Sequence, residues 1–114
     1  MMQPSQPLRI RASDGAAQGG GPALPRRLLF DLGTTVITAN ALHTLHPGDV
    51  QNALRRHHAG DWGTVGPEDW EANQTALAGE LRIFSVYQDR NSTRFYIITE
   101  ADRSITTVML PEDY

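Results

Sequence analysis

Apolar and polar residues alternate through residues 81–110 in three runs, LRIFSVYQ, RFYIITE and SITTVML, separated by two polar turns. Runs of this length, rich in Val, Ile, Thr, Tyr and Phe and bounded by Asp, Asn and Ser, read as strands over 81–88, 94–100 and 104–110. The turns, Asp89-Arg90-Asn91-Ser92-Thr93 and Ala101-Asp102-Arg103, carry side chains that hydrogen-bond local backbone, which makes the three strands an antiparallel meander. Successive strand side chains face opposite ways, so Ile83, Ser85 and Tyr87 share one face and Phe84 and Val86 the other. Both faces carry apolar residues. The sheet is therefore expected to be covered by helices on one side and partly occluded on the other.

Upstream, residues 28–37, LLFDLGTTVI, suit a first strand with a bend or bulge at Gly33. Residues 38–45 read as a short helix or turn, with Thr38 as its cap and Ala39, Leu42 and Leu45 or His46 on one stripe. Pro47 and Asp49 open a better helix, in which Val50, Ala53, Leu54 and His57 repeat at i, i+3, i+4 and i+7 and Gly60 supplies the stop. Trp62, in an Asp-Trp pair flanked directly by Gly60 and Gly63, is expected to plug the core edge. Pro67, Glu68 and Asp69 start a third helix, where proline fits the first turn and acids suit the dipole. Trp70, Asn73 or Gln74, Leu77 and Leu81 continue its stripe, and Gly79 ends it. The order is an N-terminal strand, two to three short helices, then a three-stranded antiparallel meander packed on the helices: an α+β domain.

Composition sets the boundary of that domain. Of the 114 residues, 1–27 hold four Pro, four Gly and few large aliphatics, too little apolar surface to offset ordering entropy, and read as a disordered N-terminal tail. Residues 28–114 read as a single compact domain. The tail has four Arg against one Asp, a net charge of +3, and the body six Arg against twelve acids, a net charge of −6. An acidic body argues against nucleic acid as a partner, because cations neutralising phosphates supply most of that affinity. With no Cys, disulfides, thiol catalysis and zinc–thiolate sites are excluded. The chain has neither a secretory-signal pattern nor an 18-residue apolar run, so a cytoplasmic protein without a membrane partner is expected.

Candidate chemistry is sparse. His43, His46, His57 and His58 invite a metal reading, but no His-Glu-x-x-His spacing occurs and no metal is expected. His57, on the apolar stripe, reads as a helix-end histidine that packs with one edge and hydrogen-bonds with the other, while His58 faces solvent. No glycine-rich phosphate loop lies between a strand and a helix, and no cofactor is expected. A catalytic alternative places His57 with Arg103 and Ser104 or Thr106, a set able to transfer a proton and stabilise charge during metal-independent RNA cleavage. The plainer reading of Thr99, Glu100, Asp102, Arg103 and Ser104 is a tight hairpin with a local acid–Arg pair. Arg90 and Arg94 read as solvated charges. If surface hydrophobicity drives binding, Trp62, Trp70 and Tyr87 mark the patch.

Three pieces of the chain carry a resemblance: Arg56-His57-His58-Ala59-Gly60-Asp61-Trp62-Gly63; Glu68-Asp69 with Asn73; and Ile97-Ile98-Thr99-Glu100-Ala101-Asp102-Arg103-Ser104 through Leu110-Pro111-Glu112-Asp113-Tyr114. Over residues 32–114 the chain resembles small proteins encoded on bacterial plasmids, prophages and integrative elements, often labelled "plasmid-related protein" or "type I restriction endonuclease subunit M". The methyltransferase label is incompatible with the residues: there is no Asn-Pro-Pro-aromatic loop for a flipped adenine and no glycine-rich cofactor turn. The resemblance implies a mobile-element accessory role, countering host defence or supporting element maintenance, exerted by a non-enzymatic interaction with a host or element protein. The element order is also similar to RelE-type and barnase-like RNases, which is the analogy behind the catalytic alternative. Neither the partner's identity nor the oligomeric state is written in the sequence.

Overall fold

The computed structural model describes the backbone of Leu8–Ile10 and all of residues 28–114. Its elements are β1 (Leu8–Ile10), β2 (Thr34–Ile37), α1 (Ala39–Thr44), α2 (Pro47–His58), α3 (Pro67–Gly79), β3 (Ile83–Gln88), β4 (Arg94–Thr99), β5 (Ile105–Met109) and a closing 3₁₀ turn (Pro111–Asp113). The α+β order and the C-terminal meander stand as the sequence predicts. The sheet, however, is mixed. Its strand order is β1-β2-β5-β4-β3, with β2 parallel to β5 and every other pair antiparallel. The first strand is also shorter than the predicted 28–37, because Gly33 takes a left-handed conformation (φ 67°) and residues 28–33 leave the sheet. Of the predicted tail, Leu8–Ile10 pairs with β2, and the rest lies outside the described residues.

Register decides which side chains meet. On the helix-covered face, Ile37, Val108, Ile97 and Ser85 form one cross-sheet row and Thr35, Thr106, Thr99 and Ile83 the next. All eight are buried. The first row and Tyr87–Phe95 meet Ala41 of α1, Leu45, and Val50, Ala53 and Leu54 of α2 in the main core. Burying each large side chain of this kind removes apolar area from water worth roughly 1.5–3 kcal/mol. Thr38 caps α1 through its hydroxyl, as predicted, and Asp113 returns from the C-terminus to accept from both Thr38 (2.6 Å) and Asn40 (2.7 Å).

Helix α3 departs from its predicted stripe. Only Asn73 and Ala76 are buried, Leu77 is half-buried, and Trp70 and Leu81 are exposed. The cause is position: α3 lies along the free edge of β3 and does not cross a sheet face. The Asn73 amide donates to the Phe84 carbonyl (2.7 Å) and its oxygen accepts from the Phe84 N–H (3.1 Å). One step further along, Val86 donates to the Trp62 carbonyl (3.2 Å) and accepts from Thr64 N–H (2.9 Å). The edge strand is thus closed by a side chain and by a three-residue segment, which satisfies groups that would otherwise recruit another strand.

Candidate functional site

His57 sits three residues after Leu54 and four after Ala53, on the apolar stripe that α2 presents to the sheet. Its ring is fully buried between β3 and β4. Nδ1 lies 2.6 Å from Ser85 Oγ and Nε2 2.9 Å from Thr99 Oγ1. Thr99 Oγ1 is in turn 2.7 Å from Thr106 Oγ1, and Thr106 donates to the Leu32 carbonyl at 2.7 Å. A carbonyl only accepts, so the hydrogen-bond directions of the whole chain follow from that end. Thr106 gives its proton to Leu32, Thr99 gives its own to Thr106, and Thr99 therefore accepts from His57. Nε2 therefore carries a hydrogen, and in the neutral ring that burial favours Nδ1 is bare and accepts from Ser85.

Burial lowers the affinity of His57 for a proton, with smaller contributions from the charges of His58 and Arg103, and holds it down at about 3. Aromatic rings wall the imidazole: Phe30 at 5.3 Å and Trp62 at 5.8 Å between centroids, both edge-on. The histidine packs and hydrogen-bonds as expected, but through both nitrogens and not through one edge alone. Both nitrogens are engaged by buried hydroxyls, leaving no lone pair turned to a substrate.

The remaining members of the catalytic alternative are held by other partners. Arg103 adopts φ 61° and sends its guanidinium to the carbonyls of Leu81 (2.7 Å), Ala76 (2.9 Å), Glu100 (3.2 Å) and Ala101 (3.3 Å). It closes the C-terminal end of α3 and covers the Phe30 ring at 5.7 Å, so Phe30 touches both Arg103 and His57. Ser104 is exposed and donates to Asp102 (2.6 Å), while Thr106 is sealed in the hydroxyl chain. The predicted acid–Arg pair of this turn is thereby corrected: Asp102 takes Ser104, Arg103 takes carbonyls, and Glu100 pairs with Arg82 at 3.3 Å. The backbone twist at Arg103 points its side chain away from Asp102, which the spacing alone did not show.

The expected patch of Trp62, Trp70 and Tyr87 is corrected as well. Trp62 is fully buried, with Nε1 donating to Gln74 (2.9 Å), and Tyr87 is buried, its phenol donating to the Asp61 carbonyl (2.6 Å) under the Arg56 guanidinium. Burial pushes the Tyr87 phenol upward, opposed by the Ser85 hydroxyl beside it. Trp70 alone of the three is exposed, at 40%, and it stacks edge-on against Trp62. Gly60 and Gly63 both take positive φ, and a Cβ on Gly63 would stand 1.9 Å from the Val86 carbonyl oxygen. That approach draws Trp62 inward.

Ion pairs hold the flank of this corner. Asp61 accepts from Arg56 Nε (2.8 Å) and from Gly63 N–H (3.1 Å), and its carboxylate raises the Arg56 affinity for its proton. Arg90, expected as a solvated charge, instead grips Asp49 with Nε and Nη2 at 3.0 and 3.1 Å and holds that carboxyl down at about 2. Between these pairs lies an open cleft of about 250 Å³ lined by Asp49, Asn52, Ala53, Arg56, Tyr87 and Gln88. None of His57, Arg103, Ser104 or Thr106 lines it. His46 accepts from Gly48 N–H as the cap of α2, and no group of three or more His, Asp or Glu side chains converges on a metal position among the described residues.

Sequence reading missed Ser85 as the partner of His57. The available signal was a hydroxyl between Ile83 and Tyr87 on a face expected to be buried, a position that needs a polar partner. Leu32 gave no signal, because its contribution is a backbone carbonyl. No family model, curated protein or solved structure matches the chain.

Proposed function

We propose that the protein is a non-enzymatic interaction module whose contact surface is the outward face of α3. The observation that carries this reading is Trp70, exposed on a helix where Glu68, Asp69 and Glu71 are also exposed and make no ion pair among the described residues. A tryptophan braced from behind by a buried ring loses little conformational freedom on docking, which suits it to act as a binding anchor. The surrounding acids favour a protein partner with a basic face and disfavour phosphate backbones.

The mobile-element setting, whether countering host defence or supporting element maintenance, rests on the motif resemblance alone. Immobilised protein should capture a host or element protein from lysate, with capture weakened at least tenfold by Trp70→Ala and by Glu71→Arg. Equal capture by all three forms would remove α3 as the surface. The RNase alternative is checked by incubating the purified protein with total RNA. With the only buried imidazole among the described residues engaged on both sides, an unchanged RNA profile is expected.

A further inference from the structure

His57 joins two apolar clusters of unequal size. The larger holds Ile37, Leu45, Val50, Leu54, Phe95 and Val108 among others, and spans α1, α2 and the sheet. The smaller is built on Trp62, Ala76 and Ile83, with Phe30, Val65 and Leu77 against it. Two rings of the smaller cluster, Phe30 and Trp62, rest edge-on against the imidazole. The helix that carries the imidazole belongs to the larger one.

Burial makes the socket favour the neutral ring. Its hydroxyl chain is directional, and Nδ1 is the acceptor for Ser85. A proton on Nδ1 would face the Ser85 hydroxyl and force it to redirect its own hydrogen. Among the described residues the surroundings offer no compensating charge. On α2 the neighbour is His58, and from the β4–β5 turn it is Arg103; both oppose a second positive charge. Strands β3, β4 and β5 contribute the hydroxyls of Ser85, Thr99 and Thr106, and the Tyr87 phenol lies beside Ser85. The 28–32 segment and the 61–63 corner present the Phe30 and Trp62 rings. Asp31 acts on His58, and the Asp61 carboxylate engages Arg56 and the Gly63 N–H.

We propose that His57 is an acid-sensitive latch: a single proton expels its ring from the socket in mildly acidic solution and opens the Trp62 corner, while the main core stays folded. The sign follows from linkage. The folded ring resists protonation and the released ring does not, so the closed state is favoured fully above the ordinary histidine value of about 6.5 and loses ground as pH falls below it. Each pH unit of that descent lowers the closed-to-open ratio about tenfold, until the buried ring itself takes a proton at about 3. The smaller cluster yields first because it has fewer buried apolar contacts to lose. This inference is independent of the proposed interaction surface.

The two tryptophans, both at this corner, make the latch visible. Emission and acrylamide quenching should be followed from about pH 7.5 to about 4.5, a window chosen around the ordinary histidine value, with far-ultraviolet circular dichroism in parallel. A red shift and stronger quenching with preserved circular dichroism are expected. Asp49, Asp89, Asp102 and Asp113, all held below the usual carboxylate value, stay ionised through that window. His57→Gln keeps a donor and an acceptor without a titrating proton and should abolish the transition; His58→Gln should leave it in place. Should His57→Gln not fold, imidazole nitrogen shifts of the unaltered protein decide: they should report the neutral Nε2–H tautomer until the emission changes. Constant emission, an identical transition in His57→Gln, loss of circular dichroism together with the red shift, or a folded ring that titrates normally would each overturn the latch.

Discussion

Asn73 and Phe84 are joined like two residues of neighbouring strands, although only one of them is in a strand. The Asn73 side-chain amide satisfies both outward backbone groups of Phe84, at 2.7 and 3.1 Å, from within a helix. Replacing it by Ala leaves two edge groups and a gap. Asn73→Ala is expected to cost about 1–3 kcal/mol, the range for a buried group left without its hydrogen bond. It should also raise the aggregation rate, because the uncovered strand edge becomes a template. Urea unfolding and light scattering check both; unchanged scattering would mean that the edge needs no cover.

Gly63 should tolerate no side chain. Its positive φ and the 1.9 Å clash of an added Cβ with the Val86 carbonyl leave only backbone movement as relief. Gly63→Ala is expected to destabilise by about 3 kcal/mol or more, at the upper end for point changes. Trp62 fluorescence should shift red at neutral pH in the same variant.

Thr35 offers the opposite case. Its buried hydroxyl has no hydrogen-bond partner among the described residues, although the next residue in its row, Thr106, is fully engaged. Thr35→Val keeps the shape and removes the orphan group, so a gain of about 1 kcal/mol is expected from the cost of burying an unpaired hydroxyl. A lower thermal midpoint in the variant would show that the hydroxyl is satisfied in solution.

Arg103 is expected to matter for stability and not for chemistry. Its guanidinium collects carbonyls from the end of α3, from Leu81 in the link to β3 and from its own turn. Arg103→Met should cost about 1.5–3 kcal/mol, the range for hydrogen bonds to a charged group, while RNA remains uncut by both forms. Retained stability with a lost RNase activity would instead revive the catalytic reading.

Trp70 stands apart from these. It is exposed and stacked edge-on against Trp62, so its replacement by Ala should change stability by about 1 kcal/mol, the scale of an aromatic pair. Its effect should appear in partner capture.

Local pattern alone determined the elements: the meander, the helix starts at Thr38, Pro47 and Pro67, and the inward face of α2 down to His57, since period, caps and turns are written within a few residues of where they act. Tertiary structure alone decided the parallel pairing of β2 with β5, the hydrogen-bond partners of Trp62 and Tyr87, and the route of Arg103 to the end of α3. Those depend on which distant residues the packing brings together. Ser85 shows the division within one side chain: alternation put it on the inner face, but only the register of β3 against β4 and the descent of α2 placed an imidazole nitrogen 2.6 Å from its hydroxyl.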